Sequence, residues 1–352
     1  DLRRMSPEET ALWGALQDNG MDAQFAQAFL QSRIQRRAFV SVWARPAGDP
    51  DAGNPLIATE PADQAIVEYD SEVRWRRSYG LKMWADDSYE YGTLSSPDFI
   101  YRMRRPIGAL AGIRPSGLMV PSLRGVGWEL RDEQPIVNHL GLVPLVELPF
   151  LPPLTGEPLS AISGVAAMQD AVNLLWAYLF NAADYASMPA RVILGQGPPK
   201  RPVLDSNGQK VGEVPIAIEE LKGGRLFWLS GADAKVDQWD AAVLDPFTAT
   251  IENIVAHIAT QTRTPPYYLV TRQGISNIGG DGIKALDAPT VEQTRTTIEH
   301  YNDRIRDILE LVAIQLDLRD VGVRRAQVRW RDFENRSDAQ KADAFLKRAQ
   351  AG

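Results

Sequence analysis

Apolar positions in the first 37 residues recur at helical spacing and break at turn residues. Ser6-Pro7-Glu8-Glu9 combines a capping serine, a proline at the first helical position and a glutamate three residues after the cap. This predicts a helix that starts there and stops near Gly20, then a second from about Asp22 to Arg37. From 38 to 150 the pattern changes. Short runs rich in aromatic and β-branched residues alternate with turn residues: Phe39 to Trp43, Ala65 to Tyr69, Val73 to Trp84, Tyr89 to Met103, Gly127 to Arg131 and Val143 to Leu148. Period-two alternation of this kind predicts an antiparallel sheet.

Pro149, Pro152, Pro153 and Pro158 mark a rigid connector. Beyond it Val165, Met168, Val172, Leu175, Leu179 and Ala182 predict a helix over 162–188. Only Asp170 and Asp184 are charged in it, and Trp176, Tyr178 and Phe180 widen its apolar face. A helix this apolar must be buried in a large core or against other subunits. Residues 190 to 239 read as a small β-rich insert. Ser206-Asn207-Gly208 predicts a type I′ hairpin turn, and Gly223-Gly224 another turn between Ile216 to Ile218 and Leu226 to Leu229.

Asp245 as cap and Pro246 as first residue open the next helix. Phe247, Ile251, Ile254, Val255 and Ile258 form its amphipathic stripe, and Thr264-Pro265-Pro266 stops it. A glycine-rich loop follows, from Thr271 to Leu286. The longest helix is expected from about Pro289 to Leu316, with Val291, Ile298, Tyr301, Ile305, Ile308, Leu309, Val312 and Leu316 inward. Its outer face pairs opposite charges at three- and four-residue spacing. A strand near Val328 to Trp330 and a helix capped by Ser337 close the chain. The order predicts an α+β fold without internal repeats.

The 352 residues, 44% hydrophobic and 24% charged, allow two or three folded domains. A first residue of Asp rather than Met is expected of a portion of a longer product. No signal peptide is expected at the start, and 171–183 is too short and too rich in asparagine to span a bilayer. Net charge is −7. Tight binders of duplex DNA are usually basic, because affinity comes from counterion release. The charge therefore argues against a tight grip on DNA, but not against a surface past which DNA slides. The absence of cysteine removes disulfides, thiolate nucleophiles and Cys-ligated zinc.

Catalytic patterns fail on inspection. Gly274-x-x-x-x-Gly279 opens like a phosphate-binding loop, but Gly280 and Asp281 stand where lysine and a hydroxyl residue are required. His139, His257 and His300 lack metal-ligand spacing. Asp86-Asp87 and Glu219-Glu220 are adjacent, and neighbours on a strand point to opposite faces. No catalytic residue, metal or cofactor is expected. Arg74-Trp75-Arg76-Arg77 and Arg102-Met103-Arg104-Arg105 read either as a nucleic-acid face with stacking or, preferably, as a strand edge or subunit contact.

Three stretches carry a resemblance. Asn138-His139-Leu140-Gly141-Leu142-Val143-Pro144-Leu145-Val146 resembles the N-x-L-G-x-V-P-V-V strand of tailed-phage portal proteins, in the family like that of siphophages from Gram-positive hosts. Gln169-Asp170-Ala171-Val172-Asn173 resembles that family's L-x-D-A-Y-N helix start, with Val172 where tyrosine is common. Arg336-Ser337-Asp338-Ala339-Gln340-Lys341-Ala342-Asp343-Ala344 is similar to its R-S-E-A-E-K-A-D-A run.

The resemblance implies a portal fold: 1–158 wing, 159–188 stem helix, 189–240 clip, 241–266 second stem helix, 267–287 tunnel loop, 288–352 long wing helix and start of a shortened crown. It implies a homo-oligomeric ring, typically a dodecamer, at one capsid vertex of the virion, assembled in the host cytoplasm. The implied partners are the terminase large subunit, major capsid and scaffold proteins, a head–tail adaptor, and double-stranded DNA passing without sequence specificity; no membrane is involved. The expected DNA-facing residues are Arg272, Gly274, Asn277, Gly279, Gly280, Gly282 and Lys284, and the expected subunit interface is Val172, Leu175, Trp176 and Leu179. The chief rival is another head–tail structural protein such as an adaptor, which the two-helix-plus-insert order disfavours.

Overall fold

The computed structural model describes residues 5–46, 48–107, 127–154, 156–187, 191–194, 200–215, 226–228, 235–238, 243–269, 280–318, 322–331 and 346–347. The chain divides into two compact units, one of residues 1–164 and 278–352, the other of 165–277. The second is therefore inserted into the first.

The first unit opens with α1 (Pro7–Asp18) and α2 (Met21–Gln35). Ser6 makes the expected reciprocal cap: its hydroxyl accepts from Glu9 N–H at 3.2 Å, and the Glu9 carboxylate accepts from Ser6 N–H at 2.8 Å. Strands β1 (Arg37–Ala44), β2 (Pro55–Glu60) and β9 (Leu145–Pro149) form an antiparallel sheet in the order β2-β1-β9. Strands β3 (Ala65–Tyr69), β4 (Arg77–Ala85), β5 (Tyr89–Ser95), β6 (Phe99–Pro106) and β7 (Glu129–Leu130) pair in sequence order, with β8 (Ile136–Val137) also on β6. The long helix α5 (Gly280–Gln315) completes the unit.

β1 is buried on both faces, and its alternation shows why. Ala38, Val40 and Val42 pack with Val146 and Leu148 of β9 against α1, α2 and α5, where Tyr301, Ile308, Leu311 and Val312 fill the other side. Phe39 points the opposite way, into a second cluster with Ala65, Val67, Val143 and Leu145 between the two sheets. The layers are thus helices, small sheet, larger sheet. The sheets approach closely at Gly80: a β-carbon there would lie 2.8 Å from Val143 Cγ1, so no side chain fits. One buried polar chain ties the layers together. Tyr301 Oη donates to Ser32 Oγ at 2.9 Å, which donates to the Leu148 carbonyl at 2.7 Å, joining α5, α2 and β9.

Several expected elements shift. The run from Val73 starts as a strand only at Arg77, because the Asp70 carboxylate accepts from the N–H groups of Glu72 and Val73 and holds a turn. The run from Tyr89 to Met103 is two strands, folded at Ser96-Pro97-Asp98. Helix α5 begins at Gly280 rather than Pro289, so the proline lies inside it, where it removes one helical hydrogen bond. Val328 to Trp330 is not a strand; Trp330 Nε1 donates to Asn302 at 2.7 Å and its ring packs on the helical core. The expected last helix, from Ser337, lies outside the described residues apart from 346–347, which are helical.

The second unit contains α3 (Ala166–Ser187) and α4 (Asp245–Gln261), with β10 (Arg191–Leu194), β11 (Lys200–Leu204), β12 (Lys210–Pro215), β13 (Leu226–Trp228) and β14 (Lys235–Gln238) between them. β10 pairs parallel with β13 and antiparallel with β14, while β11 and β12 form a hairpin. Its turn is not type I′. Gly208 alone has a positive φ, 75°; Gly208 N–H donates to the Asp205 carbonyl, and the Asp205 carboxylate accepts from Asn207 and Gln209 N–H. The aspartate thus sets a longer turn, with glycine as its left-handed residue. The expected turn at Gly223-Gly224 lies outside the described residues. Helix α4 is capped at Leu244 rather than Asp245, without a side-chain hydrogen bond.

Candidate assembly interface

The surface that stands out is the outside of α3. Val172, Leu175 and Leu179 pack against Phe247, Ile251, Ile254, Val255 and Ile258 of α4, so the stripe that each helix shows in sequence is satisfied by the other. Three of the four expected interface residues, Val172, Leu175 and Leu179, therefore face α4 of the same chain. The period-3.6 stripe identifies a buried face but not its partner. Only Trp176 of the four stays exposed, at 42%.

What remains uncovered lies on both sides of that stripe. Leu174 is 52% exposed, Tyr178 51% and Phe180 66%. At about 100° per residue, Trp176 and Phe180 fall roughly 70–110° to one side of the α4-facing centre. Tyr178 and Leu174 fall about 90–130° to the other. The Trp176 and Phe180 rings lie 5.6 Å apart as one patch. The sequence shows Trp176, Tyr178 and Phe180 widening the apolar face; what sequence reasoning missed is Leu174 and the division of the four between two separate flanks.

Other expected sites fall as follows. Arg272, Gly274, Asn277 and Gly279 lie outside the described residues. Gly280, Gly282 and Lys284 belong to the first turns of α5 rather than to a loop. The two arginine-rich stretches are largely paired within the chain. Arg102 donates to Asp132 at 2.7 Å, Arg104 to Glu129 at 2.8 Å and Arg105 to Glu90, while buried Arg77 donates to Asp307 at 2.9 Å. Hydrogen bonding to Asp132 raises the Arg102 pKa and lowers that of the aspartate. Guanidiniums so committed have few donors left for phosphates, which favours the structural reading of Arg77 and of the second stretch, while Arg74 and Arg76 stay exposed. Asp86 caps a turn, accepting from Ser88 and Tyr89 N–H and from Tyr91 Oη, and these bonds lower its pKa. Glu219-Glu220 lies outside the described residues. Among the described residues no three His, Asp or Glu side chains gather as a metal site, and no helix is long and apolar enough to cross a membrane.

No protein-family model matches the chain. Two curated proteins do, along nearly its whole length. One, named portal protein, from Mycobacterium phage L5, is 22% identical over 357 residues, covering 96% of this chain and 65% of the relative. Another of the same name, from Mycobacterium phage D29, is 23% identical over 352 residues with the same coverage. The chain is similar to phage portal proteins. The similarity to the portal proteins takes in both compact units, and the chain spans about 65% of each relative's length.

Proposed function

We propose that the chain is a portal subunit, and that the two apolar flanks of α3 are the contacts by which copies join into a closed ring. One patch that matches itself makes a two-fold dimer; two different patches on opposite sides make a head-to-tail contact, which closes into a ring when the rotation allows. The four exposed side chains on α3 supply the driving force. At ~25 cal/mol per Å² of apolar surface, covering what is exposed of each contributes roughly 1–3 kcal/mol apiece.

The ring surrounds the path of double-stranded DNA during packaging and ejection at one capsid vertex. It acts without an active site or cofactor of its own, and the terminase large subunit supplies the energy. The segment 189–240 is the docking surface for terminase and later for the head–tail adaptor, while capsid and scaffold proteins meet the first unit. The region Arg272 to Lys284 faces DNA. A net charge of −7 suits a wall past which phosphates slide. Negative-stain images of the purified chain test the reading directly: rings with an axial hole are expected, and a monomer at high concentration overturns it.

A further inference from the structure

The first unit holds a cleft of about 620 Å³ between the turn before β4, the end of β9 and the outer face of α5. This size is within the range of small-ligand sites, about 300–1,000 Å³. Arg76, Arg77, Arg304, Arg306 and Arg324 line it, against three carboxylates, Glu299, Asp303 and Asp307. In a chain of net charge −7, this is a local reversal of sign.

The ion pairs do not use up the positive charge. Asp307 is shared by three guanidiniums, Arg77 at 2.9 Å, Arg304 at 3.7 Å and Arg324 at 3.9 Å. Arg324 also has Glu310, just outside the lining, at 2.7 Å, and Arg306 has Asp303 at 2.7 Å. Arg77 is nearly buried; desolvation lowers its pKa and Asp307 offsets part of that. Two forks remain. Arg304 makes one ion pair, its distant share of Asp307, and its guanidinium lies 5.7 Å from the centre of the Tyr69 ring, which leaves its N–H edges open. Arg76 makes no ion pair among the described residues and feels Asp70 only through its charge. Glu299 is the one lining carboxylate left to oppose them. Beside Arg76 stands Trp75, 73% exposed, an aromatic face at the rim.

We propose that this cleft is an anion site that takes a phosphate group, bound chiefly by the guanidiniums of Arg76 and Arg304. Planar guanidinium forks match the oxygens of a phosphate in pairs, and the partial burial of Arg304 strengthens its share. The cleft is larger than a phosphate, so the group arrives on something bigger, either a free phosphomonoester or the diester backbone of DNA. The site is built within one subunit, so it does not depend on ring formation.

Calorimetry with inorganic phosphate, against chloride at matched ionic strength, tests this on the full chain. Phosphate binds and chloride does not. Arg76→Ala and Arg304→Ala each weaken binding at least about tenfold, while Arg74→Ala, an exposed arginine outside the lining, leaves it unchanged. Arg76 sits in a surface turn, so its variant remains informative if Arg304→Ala lowers the melting temperature. A short duplex lacking terminal phosphates separates the sources. Displacement of phosphate by that duplex identifies the diester backbone, and lack of displacement identifies a monoester. Heat no greater with phosphate than with chloride, or binding unchanged by Arg76→Ala, overturns the proposal.

Discussion

Phe180→Glu on one flank of α3 and Leu174→Glu on the other should each stop assembly without unfolding the subunit. A phenylalanine buries roughly 200 Å² of surface at most. Phe180 is 66% exposed in the single chain, so an interface can cover about 130 Å² more of it. At ~25 cal/mol per Å² that is about 3 kcal/mol, a weakening of at least ~100-fold per contact before the cost of drying a carboxylate. Within the chain the same change touches little, and stability should move by no more than about 0.5 kcal/mol. Sedimentation velocity across a concentration series reads assembly, and circular dichroism melts read the fold. Each variant alone should be monomeric. A mixture should form one-to-one dimers and go no further, because Leu174→Glu retains an intact Phe180 flank and Phe180→Glu an intact Leu174 flank. If either variant forms rings at wild-type concentration, α3 does not meet its neighbours this way. If Phe180→Glu alone forms dimers, the patches are self-complementary and the head-to-tail reasoning fails.

Tyr301→Phe removes the hydroxyl given to buried Ser32, and should cost about 1 kcal/mol, read as a lower denaturant midpoint at unchanged slope. Burial, then the charge of Glu147, raises the Tyr69 pKa, so the protonated phenol stabilises the fold fully below about pH 10. Wild type should lose stability as pH rises above that value, and Tyr69→Phe should flatten the loss; parallel profiles would show that Tyr69 is not the group responsible. Normal DNA filling by Arg272→Ala and Lys284→Ala, alone and combined and with ring assembly checked first, would remove these two residues from the packaging mechanism. Calorimetry should detect no ATP binding at micromolar concentration, and binding lost on changing Gly279 or Asp281 would overturn the non-enzymatic reading.

Local rules made much of the fold legible. Ser6-Pro7-Glu8-Glu9 specified a capped helix start to the residue, since all its partners lie within one turn. Strand β2 was not legible. Its hydrogen-bonding partners come from far away: Asn19 Oδ1 accepts from Ile57 N–H at 3.0 Å and Gln24 Oε1 from Thr59 N–H at 2.8 Å. Pro289 was read as a helix start because proline favours that position, yet flanking turns absorb it inside α5. At the interface, the α3 and α4 stripes were visible, but their mutual pairing was not, since periodicity gives a face without its occupant. The arginine cleft brings residues near 76 together with residues near 304, a proximity no local pattern contains.

The insertion of one unit inside the other has a consequence for synthesis. Ser32 and Tyr301 are 269 positions apart, and the helical side of the first core is filled from α5. A ribosome moving at ~5–20 residues per second needs roughly 8–30 s to travel from β9 to Tyr301. During that interval Ala38, Val40, Val42, Val146 and Leu148 lack their α5 cover, while the whole of the second unit emerges. Nascent chains that stall in this window expose a sheet with one apolar face half covered. Helix α5, made well after the sheet that it covers, is therefore the part that turns a sticky intermediate into a subunit fit to assemble.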